Sequence, residues 1–291
     1  MTIHNKKNTR LSQLCSALIG MTLTVAVVAQ ETGSSSTETV VDNNVSFSAV
    51  LALTSSPKTT TLHYGESAEQ RIDIWAASGR DDVHAYMPGI LLVHGGCWLA
   101  QYSVDHVKPL ASALSQQGFN VFAIEYRRTG QPGGGWPGSL DDVRNAMKLV
   151  RETYPKMALT SVGHSAGGHL ALLAATDASL QLAAVIGMAA ITDVTAYSRG
   201  DNSCQQATVE FMGGTVDEKP DAYRLANVTD KRIVAPLYLL GGKADSIVPI
   251  TQNTHRQARR FSGDDIGHFD WIHPQTQAYQ HLLNTLAQLY D

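Results

Sequence analysis

Ala158-Leu159-Thr160-Ser161-Val162-Gly163-His164-Ser165-Ala166-Gly167-Gly168-His169-Leu170-Ala171-Leu172-Leu173-Ala174-Ala175 passes from one structural period to another within five residues. Ala158 to Val162 is a short strand candidate, and Gly168 to Ala175 is a helical run. The five residues between them, Gly163 to Gly167, read G-x-S-x-G. A strand that turns into a helix with no intervening loop holds its turning residue in a crowded conformation, and flanking glycines relieve that crowding. Ser165 is then carried at the tip of the turn with its hydroxyl clear of the backbone. Gly and Ser are common, so the pentapeptide alone carries little weight. Its position between a strand and a helix is what makes Ser165 a candidate nucleophile.

The same alternation extends outward in both directions. Arg71 to Trp75 alternates apolar and polar residues with period two, as a half-buried strand does. Ile90 to His94, Asn120 to Ile124, Leu182 to Ile191 and Pro236 to Leu240 supply further strands. Asp141 to Tyr154 places Val143, Met147, Val150 and Tyr154 on one helical face; Ser139 with Asp142 reads as a capping box and Pro155 as the stop. A last helix opens near Pro274 and turns Tyr279, Leu282, Leu283, Leu286 and Leu289 inward. Strands alternating with helices predict an α/β fold with a mostly parallel central sheet and helices on both faces. The alternation stops between Thr192 and Asp230, so residues 193–230 read either as a surface excursion or as a small cap over a cleft.

A serine nucleophile needs a base and a carboxylate, and on a strand-turn-helix serine the chain order is Ser, acid, His. Leu239 to Lys243 runs from a strand into the loop that carries Asp245, whose other reading is a cap for a helix after Pro249. His268 follows Gly267 in a loop before the last helix and is the candidate base, with His273 in reserve; His255 and His281 fall in helix patterns. His164 and His169 flank the nucleophile and are expected to point elsewhere. His94-Gly95-Gly96-Cys97-Trp98, at the end of an earlier strand, resembles the H-G-G-G loop of lipases and esterases, with Cys97 in place of the last glycine. There His94 is expected to brace the loop. Trp98 and Trp136 are expected near the carboxyl ends of the strands as walls of a substrate pocket, or else as core beneath the cap.

The chain has 291 residues, a net charge of −4 and 43% hydrophobic residues, enough apolar sequence for a large core. The charge and the lack of a dense Lys/Arg block argue against a nucleic-acid partner, and no apolar run is long enough to span a membrane. No metal site is expected, because the cysteines and histidines lack ligand spacing. Lys6, Lys7 and Arg10 followed by an apolar stretch to Ala29 read as a signal peptide over residues 1–29, hence an exported protein. Residues 30–46 read as a flexible leader and 47–291 as the folded domain. Of the three cysteines, Cys97 and Cys204 remain after cleavage. Export permits a bridge between them if the cap folds over the cleft; alternatively Cys97 is a small buried residue.

His94 to Trp98, Glu125-Tyr126-Arg127-Arg128, Gly133-Gly134-Gly135-Trp136-Pro137, Gly163 to Gly168 and His268-Phe269-Asp270-Trp271 occur in an order that resembles the α/β-hydrolase superfamily. Within it, the chain is similar to the esterase/lipase and kynurenine-formamidase-like branch. The resemblance implies an α/β-hydrolase fold with no cofactor. It implies Ser165 as nucleophile, His268 as base and Asp245 as its orienting acid, with the amides of Gly96, Cys97 and Ala166 as oxyanion donors. It further implies a serine esterase acting on small to medium carboxylic esters. The alternatives are an arylformamidase-type amide hydrolase and, from another class, an inactive hydrolase fold used for binding.

Overall fold

The computed structural model describes residues 41–78 and 80–290. The expected signal peptide and the first part of the leader lie outside the described residues. Eight strands form one sheet: β1 (Thr60–His63), β2 (Arg71–Trp75), β3 (Gly89–Val93), β4 (Asn120–Ile124), β5 (Leu159–His164), β6 (Ala184–Met188), β7 (Leu237–Gly242) and β8 (Arg259–Gly263). Their order is β1-β2-β4-β3-β5-β6-β7-β8. β1 to β2 and β2 to β4 are antiparallel, and every later pairing is parallel. The helices are α1 (Phe47–Leu51), α2 (Lys108–Gln116), α3 (Gly138–Thr153), α4 (Ser165–Ala174), α5 (Val194–Tyr197), α6 (Ser203–Met212), α7 (Pro220–Ala226) and α8 (Gln277–Tyr290).

Alternate residues of each central strand enter opposite layers. Leu91, Val93, Phe122, Ile124, Leu159 and Val185 pack with α3, α4 and the helices of the 193–230 insertion. Ile90, Leu92, Val121, Ala123, Val162 and Ile186 pack with α2 and α8. β3, β4 and β5 are therefore buried along their whole length, which is why β3 and most of β4 read as apolar runs, while β5 also buries Thr160 and Ser161. α4 is buried on every side, so it is apolar all round where α3 and α8 are amphipathic.

Three local expectations are corrected. Ser139 and Asp142 do not form a capping box, because α3 begins at Gly138 with no side-chain cap. Ser139 Oγ instead donates to the Arg127 carbonyl (2.6 Å). Asp142 accepts from Arg127 through Nε (2.8 Å) and Nη2 (2.7 Å). The helix expected after Pro249 is one turn only, Ile250–Gln252, and His255 lies in the loop beyond it. Residues 41–46 of the expected leader are held against the domain, since Asp270 accepts from the amides of Asn44 (2.7 Å) and Val45 (2.8 Å). Among the described residues no helix is long and apolar enough to cross a membrane.

Candidate active site

The chemistry-bearing residues collect where β3, β5, β7 and β8 end. β5 runs directly into α4, and Ser165, the first helical residue, sits at φ +56°. That conformation is sterically costly for a residue with a side chain. It persists because Gly167 lets the first turn of α4 lie against β3: a Cβ there would collide with the His94 and Val93 carbonyl oxygens. Ala166 is in the first turn of α4, where backbone N–H groups have no partner within the helix.

Asp245 and His268 come from the loops after β7 and β8. His268 Nδ1 donates to Asp245 Oδ2 at 2.7 Å. The other carboxylate oxygen, Oδ1, accepts from the amides of Ile247 and Val248, each at 2.8 Å. The carboxylate is thus fixed from both sides, and it commits the His268 proton to Nδ1. Nε2 is left as the atom able to take a proton. Tyr197 Oη and Asn202 Nδ2 donate to the Ile247 carbonyl (3.1 and 2.9 Å), so the 193–230 insertion steadies the acid loop. His268 is 6% exposed and Ser165 2%. Both line one cavity of about 190 Å³, together with Gly96 and Cys97.

The loop after β3 is built from below. His94 bridges the Gly95 carbonyl (2.8 Å) and Glu125 Oε1 (3.0 Å), and stacks on Tyr126 at 4.5 Å. Tyr126 Oη donates to the His94 carbonyl at 3.0 Å. Glu125 also accepts from Arg128 and from the Val104 amide. Burial alone would raise the Glu125 carboxyl, but His94, Arg128 and the Val104 amide bring it down to about 2. This buried ionic cluster is what the Glu125-Tyr126-Arg127-Arg128 string encodes. Above it, Gly96, Cys97 and Trp98 all have positive φ (107°, 52° and 58°). Gly96 also leaves no room for a side chain, because a Cβ would strike Tyr102.

Cys97 is joined by a disulfide to Cys204 in α6, with Cα atoms 5.1 Å apart. The insertion is therefore covalently tied to the glycine loop, and Asn202, Ser203 and Cys204 line the cavity. The two tryptophans do not. Trp98 is wholly buried, stacked on Phe211 at 4.5 Å with its edge toward His169. The Trp136 amide donates to the Phe211 carbonyl (2.8 Å) and its ring meets Phe211 edge-on. Both rings pack beneath the insertion, the core alternative to the expected pocket walls; the aromatic residues that line the cavity are Phe47, Tyr102 and Phe269. His169 donates to the Ala226 carbonyl (2.8 Å) within that core. His164, expected to point away, lines the cavity and its Nε2 donates to the His268 carbonyl at 2.9 Å. Burial, then the neighbouring His268, holds His164 well below its ordinary range and so uncharged. His273 lies one turn beyond, outside the cavity lining.

A model of the BD-FAE family matches residues 72–259, more than half of the chain. The chain belongs to the BD-FAE family. This BD-FAE protein is 26% identical over 216 residues to the probable carboxylic ester hydrolase LipM of Mycobacterium tuberculosis, across 66% of its own length and 49% of LipM. It is 32% identical over 132 residues to esterase LipQ of the same organism, across 42% of its own length and 30% of LipQ. The chain thus spans about half or less of the curated relatives it matches. Its fold is similar to that of esterase B from Lactobacillus rhamnosis, with a TM-score of 0.64 at 18% identity, covering 84% of this chain and 89% of the other. Fold and family together make it an α/β-hydrolase of the esterase/lipase superfamily.

Proposed function

We propose that this BD-FAE protein is a serine carboxylesterase in which Ser165, His268 and Asp245 act as a triad. The observation that carries the reading is the 2.7 Å bond from His268 Nδ1 to a carboxylate fixed by two amides, behind a cavity that Ser165 and His268 both line. The relatives named as esterases support it. Ser165 Oγ attacks the ester carbon while its proton passes to His268 Nε2. Negative charge develops on the carbonyl oxygen, where the amides of Gly96, Cys97 and Ala166 receive it. The C–O bond then breaks, His268 returns the proton to the departing alcohol, and water repeats the sequence to free the acid. The small cavity favours short acyl groups. Residues 1–29 serve as a cleaved export signal in this reading, and the Cys97–Cys204 bridge supports an oxidising destination.

The test is steady-state hydrolysis of p-nitrophenyl esters from acetate to dodecanoate. Activity is expected to be highest at acetate to butyrate, and Ser165→Ala or His268→Ala to lower kcat by roughly 10⁴–10⁶ with the fold intact. A His268→Ala variant that keeps most of its activity, or a wild-type optimum at long chains, refutes the assignment.

A further inference from the structure

The cavity has two chemically different ends. One is lined by Asn202, Ser203, Cys204 and Ile247 and holds no aromatic ring, the Asn202 side chain being spent on the Ile247 carbonyl and the Gln205 amide. The other is aromatic and is closed by the N-terminal segment: Phe47 of α1 meets Phe269 at 5.2 Å, Tyr102 at 5.8 Å and His106 at 5.7 Å. Among the described residues that line the cavity there is no Asp, Glu, Lys or Arg, and burial, then the nearby His94, pushes His106 down to about 3. Within α1 the buried anchor is Val50, which is fully covered, whereas Phe47 is half-buried with its ring on the cavity.

The position of Phe47 is tied to the base. Asp270, wholly buried and two residues after His268, accepts from Asn44, Val45 and Gly267 (2.7, 2.8 and 2.6 Å). One carboxylate therefore holds both the loop that carries His268 and the segment that carries Phe47. The direction of the bound ester follows from His268. Its Nδ1 is committed to Asp245, so Nε2 must protonate the departing oxygen, and the group on that oxygen lies beside the imidazole. Phe269 packs edge-on against His268 at 5.0 Å, and Phe47 tilts against Phe269. The departing group therefore leads into the aromatic end and the acyl group toward the other.

We propose that Phe47, Phe269 and Tyr102 form a leaving-group subsite for a flat apolar alcohol, with Phe47 the specificity-determining residue. The proposal rests on the esterase reading above and deepens it. Aromatic rings recognise such a group by offset-stacked and edge contacts.

The experiment compares kcat/KM for benzyl acetate, ethyl acetate and ethyl benzoate in the wild type, Phe47→Ala and Phe47→Tyr. Benzyl acetate and ethyl acetate share an acyl group, while ethyl benzoate moves the ring to the acyl side. Phe47→Ala is expected to lower kcat/KM for benzyl acetate about tenfold more than for either other ester, mainly through KM, the scale of losing aromatic contacts. Phe47→Tyr, which keeps the ring, is expected to restore the preference. Equal losses on all three esters would make Phe47 a packing residue and overturn the proposal. A loss concentrated on ethyl benzoate would place the aromatic group on the acyl side and overturn it as well. If Phe47→Ala fails to fold, Phe47→Leu is read by the same ratios. A wild type inactive on all three esters refutes the esterase reading itself, an outcome distinct from an unchanged ratio.

Discussion

Removing the Cys97–Cys204 bridge tests stability and catalysis in one variant. The bridge joins positions 107 residues apart. Confining a loop of about 100 residues in the unfolded chain corresponds to ~4.7 kcal/mol in the chain-entropy model, and measured disulfides more often give ~2–4 kcal/mol. For a domain of about 250 residues each kcal/mol moves Tm by roughly 2–4 °C, so Cys97→Ser with Cys204→Ser is expected to lower Tm by roughly 5–15 °C. The catalytic effect comes from the loop. Cys97 and Trp98 both sit in the left-handed region, at a cost on the order of 1–3 kcal/mol each. Trp98 is held by its stack on Phe211, and Cys97 by its bond to α6. Without that bond the Cys97 amide is free to leave the place the proposed mechanism assigns it at the oxyanion, and losing one such donor costs about 10²–10³ in kcat. A kcat decrease of about 10–100-fold with a smaller change in KM is therefore expected, part of the donor's full effect. Scanning calorimetry and p-nitrophenyl acetate kinetics supply the two readouts. Reductant should move the wild type toward the variant and leave the variant unchanged. Two titratable thiols in unreduced wild type, or a double variant within about 2 °C of wild type with unaltered kcat, would refute the reasoning.

Two further outcomes follow from burial. Desolvation pushes His106 to about 3 and His169 to about 4, and together with the neighbouring His268 it holds His164 well below its ordinary value. Because the unfolded chain takes up these protons near pH 6.5, their contribution is full above that pH. It is lost as pH falls toward the folded values, by about 1.4 kcal/mol per histidine per pH unit. The urea midpoint should therefore drop steeply from pH 6.5 to 5, and a flat profile would show these imidazoles to be solvated. Trp98→Ala should cost ~3–5 kcal/mol in stability and leave the acyl-length optimum in place; a shifted optimum with little loss of Tm would return Trp98 to the pocket wall.

The central strands, the long helices and the strand-turn-helix carrying Ser165 were readable from sequence because burial on both faces leaves largely apolar segments, and a tight turn demands glycine. β1 and β8 were missed for the opposite reason. They are edge strands, and Arg-Arg-Phe-Ser-Gly in β8 is largely exposed, with no apolar face to signal it. Ser139 and Asp142 misled because the capping-box spacing also suits two buried side chains that tie the Arg127 loop to a helix. Asp245 and His268 could be proposed from chain order and loop position, both local properties. Which rings face the cavity is not local. Trp98 follows the glycine loop directly, yet its left-handed backbone turns it into the core beneath α6, while Phe47 arrives from more than a hundred residues before Ser165 through the clasp at Asp270. Sequence alone determined the α/β alternation of the central elements and the residue types proposed for the chemistry, because strand burial and turn sterics are written along the chain. The tertiary structure decided the walls of the site and the covalent tie of the insertion to the glycine loop, because both depend on contacts between segments far apart in the chain.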